Sequence, residues 1–134
     1  MIFVDTSAFY SASDEGDPNH SRALALFQRA VEHGEALLTH NYAVVETEAL
    51  LQKRMGLDVG LDFLADLARF RVHWVNAGEH ERAVELLANR ARRDLSVVDC
   101  ASFIVMREEG ATHALAFDGD FEREGFVLYT GGVR

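Results

Sequence analysis

The chain is poor in most of what would mark a secreted, membrane-bound or nucleic-acid-coating protein. It has one cysteine, Cys100, in 134 residues, which excludes an internal disulfide framework and a cysteine-rich metal site. A reducing compartment, the cytoplasm, is the expected location. No apolar run approaches the roughly 20 residues that cross a bilayer. No basic region precedes the short apolar run at the N-terminus, so neither a membrane anchor nor a secretory signal is expected. There is one proline, Pro18, and no linker, repeat or low-complexity segment. Positive charge is scarce: 13 Lys and Arg against 22 Asp and Glu give a net charge of -9. A protein that simply coats nucleic acid is normally basic, so that class is excluded. Acting on nucleic acid is not, provided some of the carboxylates hold divalent cations and so reverse the local field. Lys53 is the sole lysine, and the small basic clusters (Lys53-Arg54, and Arg90 with Arg92-Arg93) are expected to be solvated surface. The six histidines show no metal-ligand spacing such as H-E-x-x-H and are expected at the surface or in ordinary packing.

What is present is a chain that is 49% hydrophobic and long enough for one domain, residues 1–134, around a real core. Ile2-Phe3-Val4 reads as a buried strand, followed at once by Asp5, Thr6 and Ser7. Ser7 to Ser13 predicts a short helix, and residues 14–19 a polar turn. From Asn19 or Ser21 to Gly34 the spacing of Ala23, Leu24, Phe27, Ala30 and Val31 predicts an amphipathic helix. Residues 36–39 form a second strand. A third helix runs from His40-Asn41-Tyr42 to about Met55, with Val44, Val45, Ala49 and Leu50 facing inward. Glu46 lies just beyond that stripe, and Glu48 and Gln52 are expected to be wetter. A fourth helix, about 57–69, carries Leu57, Leu61, Leu64, Leu67 and Ala68 on one face. Residues 71–75 give a third strand and 79–93 a helix. Asp94 to Asp99 open a helix that reaches Glu109, with Ser96 and Asp99 resembling a capping box. Strands at 113–117 and 126–129 complete the pattern. Alternation of strand and helix implies βαβ units and a parallel sheet.

The acids carry the chemistry. In an open α/β sheet ligands bind beyond the carboxyl ends of the strands. Asp5 follows the first strand there, and Asp118, with Asp120 behind it, follows the fourth. Asp99 stands in the first turn of a helix, where free amides favour a carboxylate. Glu46 stands on the inner border of a mostly apolar helix. Each has a structural role available as well: Asp5 and Asp99 as caps, Asp118-Gly119-Asp120 as a turn, Glu46 as a border residue. If the four converge, their charges repel unless one is protonated or a cation binds. Mg²⁺ and Mn²⁺ suit such all-oxygen ligands, and a carboxylate-held pair of them is suited to phosphodiester hydrolysis.

Four pieces then resemble the PIN-domain ribonucleases, most closely the VapC-type toxins of toxin–antitoxin pairs. They are Ile2 to Ala8, Asn41 to Glu46, Leu95 to Ala101, and Phe117 to Phe121, in the family's order and spacing from end to end. The resemblance implies a three-layer α/β sandwich: a parallel five-stranded sheet, order 3-2-1-4-5, flanked by helices. It implies a Mg²⁺- or Mn²⁺-dependent endoribonuclease with Asp5, Glu46, Asp99 and Asp118 as the acidic quartet and Asp120 as an accessory acid near the metal. Thr6 and Ser7 would support Asp5, and Ser96 would help place Asp99. An RNA substrate, a homodimer and a VapB-type antitoxin are implied as partners, with much of the dimer or antitoxin surface expected on the helices of residues 41–69. One departure is Ala116, where many relatives carry a threonine or serine.

Other parallel-sheet proteins also use strand-end acids. A receiver-type phospho-acceptor domain wants an acid beside its acceptor and a lysine after the last strand, whereas Lys53 sits mid-chain. A haloacid-dehalogenase-like phosphatase wants an aspartate two residues after Asp5, where Ser7 stands. A stand-alone PIN nuclease for RNA processing or DNA ends, and a PIN-like module that only binds a protein, are the remaining alternatives.

Overall fold

The computed structural model describes residues 1–132. Five short strands, β1 (Ile2–Val4), β2 (Leu37–His40), β3 (Arg71–His73), β4 (His113–Leu115) and β5 (Val127–Leu128), form one sheet in the order β3-β2-β1-β4-β5. All four pairings are parallel. The expected order holds, and the first strand made is the central one.

Seven helices cover the sheet: α1 (Thr6–Ser13), α2 (His20–Glu32), α3 (Asn41–Met55), α4 (Leu57–Asp66), α5 (Ala77–Arg90), α6 (Val97–Glu109) and α7 (Asp120–Arg123). A 3₁₀ turn, Leu67–Arg69, follows α4. Successive strand residues point to opposite faces, so β1 feeds two cores. Ile2 and Val4 join Leu37, Leu115, Phe9, Leu26, Leu51 and Phe63 under α1 to α4. Phe3 joins Leu38, Ala114, Ala83, Phe103, Met106 and Phe121 under α5, α6 and α7. This is the three-layer sandwich the sequence implies.

Local chemistry explains the helix starts. Asn76 with Glu79, and Ser96 with Asp99, form reciprocal capping boxes on α5 and α6, each satisfying amides that have no partner within the helix. α6 stops at Gly110, whose φ of 76° suits a residue without Cβ. α5 stops three residues earlier than expected, because Ala91 already turns left-handed with φ 51°.

Three helical faces differ from their expected orientation. In α2 the buried residues are Ala23, Leu26 and Ala30, while Leu24 and Val31 are exposed. In α3 the inward stripe is Ala43, Thr47 and Leu51, an i, i+4, i+8 row. Val45 is 68% exposed, and Glu46 is exposed while Glu48 is half-buried. Glu48 lies against Gly60 of α4, where an added Cβ would come within 2.5 Å of its Oε2. That close approach turns the α3 face bearing Glu48 toward α4 and the Glu46 face away. In α4, Gly60 and Phe63 are buried, and Leu57, Leu61 and Leu64 point outward at 55%, 52% and 40% exposure. Phe63 supplies the burial instead, edge-on to Phe9 at 5.1 Å.

Candidate active site

Parallel pairing puts the carboxyl ends of β1 and β4 side by side, with Val4 opposite Leu115. Asp5 therefore leaves β1 at the edge toward which β4 delivers Asp118, three residues beyond Leu115. α3, which starts directly after β2, carries Glu46 in its second turn, and α6 carries Asp99 in its first.

Asp5 is the most enclosed of the four, only 4% exposed. Its backbone is extended, as an N-cap requires. Its Oδ2 accepts the Ser7 amide at 3.2 Å and the Ser7 hydroxyl at 2.7 Å. Burial, and then the charges of Asp118 and Asp99, push its carboxyl up from 3.8 to about 7, against the Ser7 hydrogen bonds. Asp118 is raised by burial and by the charges of Asp120 and Asp99, against the Asp120 amide and Arg123. Glu46 is exposed as a residue, yet its carboxyl end is partly desolvated. Burial and the Asp99 charge raise it, while the Thr6 hydroxyl opposes them. That hydroxyl, buried, has no hydrogen-bond partner of good geometry. Thus Asp5, Asp118 and Glu46 each feel Asp99, and Asp5 also feels Asp118. The four acids are linked electrostatically through Asp99.

Their oxygens are divided in the same way. Asp5 and Asp99 each commit Oδ2 to protein donors, Asp99 taking the Ser96 amide at 2.9 Å and hydroxyl at 3.0 Å. Asp118 commits Oδ1 to the Asp120 amide at 3.1 Å. The second oxygen of each has no protein hydrogen bond within the described residues. Such a set, hard oxygens with one lone-pair face left over and repulsion to relieve, fits Mg²⁺ or Mn²⁺. No three or more His, Cys, Asp or Glu side chains among the described residues stand close enough together to hold a metal ion. Bare carboxylates repel, and Mg²⁺ keeps several waters and takes only one or two carboxylates directly.

Asp120 joins this group only through its effect on Asp118. Its own Oδ1 is held by Arg92 at 2.6 Å and Arg123 at 3.1 Å. Arg92, expected as solvated surface, is thus a strut to the Asp118 loop, and Arg90 likewise grips Glu124 through two hydrogen bonds.

Two further residues escaped sequence reasoning in whole or in part. The Ser7 hydroxyl, besides donating to Asp5, accepts the Phe117 amide at 3.1 Å, tying the end of β1 to the segment after β4. His40, fully buried, is no ordinary packing residue, since both of its ring nitrogens are engaged. A serine two places after a strand-end aspartate hints at the first. Nothing local signals a contact 110 residues away.

This sheet order with an acidic cluster at its carboxyl edge is the arrangement of the PIN domain. The PIN domain profile matches residues 2–127, and the chain belongs to that family. Among individual proteins it is 38% identical over 129 residues to the 23S rRNA-specific endonuclease VapC20 of Mycobacterium tuberculosis, covering 95% of this chain and 96% of that one. Ribonuclease VapC26 of the same organism is 26% identical over 106 residues, 78% of this chain and 76% of that one. The crystal structure of Mycobacterium tuberculosis VapC20, described as a Sarcin-Ricin loop cleaving toxin, superposes with a TM-score of 0.84 at 36% identity, over 95% of this chain and 97% of that one. PAE2754 from Pyrobaculum aerophilum shares the fold, with a TM-score of 0.63 at 18% identity, over 96% of this chain and 88% of that one. No helix among the described residues is long and apolar enough to cross a membrane.

Proposed function

We propose that the protein is a divalent-metal-dependent endoribonuclease, the toxin of a VapB–VapC-type pair acting in the cytoplasm. The observation that carries this reading is the mutual electrostatic strain of Asp5, Glu46, Asp99 and Asp118 at the carboxyl edge of the sheet. Mg²⁺ or Mn²⁺ held by these four would lower the pKa of a bound water and offset charge on the phosphate. The chain's own part is to hold the ligands. Ser7 keeps Asp5 in place through two hydrogen bonds and anchors Phe117, and so the Asp118 segment, beside it. Ser96 holds Asp99 at the start of α6. Asp120, neutralised by Arg92 and Arg123, fixes the Asp118 turn through its amide. Burial of Asp5 lowers the screening around it, so charge placed beside that carboxylate acts more strongly than it would in water.

The likeness to VapC20 makes ribosomal RNA the substrate class to test first. The outward leucines of α4 (Leu57, Leu61 and Leu64) share one helical face, of the kind that marks a protein contact, and Val45 of α3 is exposed as well. That exposure supports a homodimer or antitoxin interface on the helices of residues 41–69. The test is cleavage of purified ribosomal RNA in Mg²⁺ or Mn²⁺, with and without a chelator. Wild type cuts only with metal, and Glu46→Gln, Asp99→Asn and Asp118→Asn each lose at least about a hundredfold and relieve growth arrest on expression. Growth arrest that persists in all three refutes the nuclease mechanism.

A further inference from the structure

Helix α3 begins with an unusual cap. Serine, threonine, aspartate and asparagine are the best N-caps, and any of them would serve an amide without burying an imidazole. His40 instead accepts the Ala43 amide on Nδ1 at 3.1 Å and is 0% exposed. An Nδ1 that accepts leaves the proton of a neutral ring on Nε2. That N–H points at Ser102 Oγ of α6, 2.8 Å away. The Ser102 hydroxyl donates in turn to the Val98 carbonyl at 3.0 Å, immediately before Asp99. The ring also stacks on Phe3 of β1, centroids 5.7 Å apart and planes 22° off parallel. Burial, and then the charge of His73, lower His40 to about 3, so the ring is neutral and this donor–acceptor order persists at every physiological pH.

One side chain thus touches the three elements that carry Asp5, Glu46 and Asp99. We infer that His40 is a positioning residue for the acidic site, setting the helix of Glu46 and the helix of Asp99 against the strand of Asp5 through Ala43, Ser102 and Phe3. This rests on the metal-nuclease reading above. A cap uses Nδ1, and a buried ring must also find an acceptor for its Nε2–H. That acceptor is Ser102 of α6, one turn after Asp99, so satisfying the ring ties the cap of the Glu46 helix to the helix of Asp99. Partners bonded directly to metal ligands are typically worth 10- to 100-fold in affinity; His40 and Ser102 act one step further out, through the backbone of α3 and α6, so the lower end of that range is expected.

The discriminating experiment titrates the full chain with Mn²⁺, reading free Mn²⁺ by electron paramagnetic resonance at a temperature where circular dichroism shows each variant folded. Ser102→Ala removes one oxygen and cuts the link, and His40→Asn keeps a capping acceptor but loses the second arm. Both are expected to bind Mn²⁺ about tenfold more weakly than wild type. Both should also lower kcat for RNA cleavage while leaving KM near wild type. A melting midpoint that falls while Mn²⁺ affinity stays at the wild-type value would show a purely structural residue and overturn the inference, with Ser102→Ala decisive if His40→Asn does not fold. A wild-type chain that binds no Mn²⁺ would instead overturn the metal-nuclease reading itself.

Discussion

Asp5→Asn should stabilise the metal-free protein while destroying its activity. In the folded state the carboxyl is raised from 3.8 to about 7, chiefly by burial, so ionising it opposes folding. Three pK units at about 1.4 kcal/mol each set a ceiling of ~4 kcal/mol on that opposition. The sign follows from linkage. Below pH 3.8 the acid is protonated in both states and costs nothing. Between pH 3.8 and about 7 the unfolded chain loses its proton first, and native stability falls as pH rises. Above 7 the full penalty is present. Asparagine has the same shape, and its Oδ1 can accept both Ser7 hydrogen bonds, so the variant removes the charge and little else. At pH 8 in chelator the variant should gain between about 1 and 4 kcal/mol, and for a domain of this size each kcal/mol raises the midpoint by roughly 3 to 5 °C. The gain should shrink toward zero near pH 4. Adding Mg²⁺ should raise the wild-type midpoint by mass action and leave the variant unmoved. Differential scanning calorimetry at pH 4, 6 and 8 reads all of this. A variant no more stable than wild type at pH 8, or a gain that is the same at pH 4, would refute the account of Asp5.

Two other outcomes follow from features away from the acids. His73 lies between Glu109 and Glu79, with one carboxylate on each ring nitrogen at 3.0 and 2.9 Å; burial opposes its charge, but these partners outweigh it and raise its pKa above 6.5. Its contribution is therefore complete below pH 6.5 and fades as pH rises through the folded value, so His73→Gln should lose about 1 kcal/mol at pH 6 and nothing at pH 9, by urea unfolding. The outward leucines give the other expectation: wild type sediments as a dimer at micromolar concentration and Leu61→Glu as a monomer, whereas a monomeric wild type would remove the dimer from the proposal.

Legibility in the sequence followed the range of the interactions. The strands and their parallel pairing were readable because Ile2-Phe3-Val4 and its counterparts are short apolar runs that alternate with helices, whereas their order came from the resemblance to a family. The capping box of Ser96 and Asp99 was readable because both halves lie within three residues. The faces of α3 and α4 were misjudged for one reason. An outward row of leucines and a buried glycine invert the usual meaning of hydrophobicity, and only the neighbouring helix reveals which face is covered. Asp5 and Asp118 were found as candidates at strand ends, Asp99 in a helix's first turn and Glu46 at the border of an apolar stripe, and the resemblance to a family made them one quartet. His40 stayed hidden because its value lies in reaching Ser102, 62 positions away, and pairing of that kind leaves no local pattern.

The Ser7–Phe117 hydrogen bond has a bearing on when the protein becomes dangerous. The central strand is synthesised first but remains half-paired until β4 arrives more than a hundred residues later, and the same late segment brings the last acid. No partial chain that stops short of β4 can assemble the pocket, however well its early helices form. Closure of the sheet and assembly of its acidic edge are therefore a single event, and a nascent chain is expected to be inactive until its fold is complete.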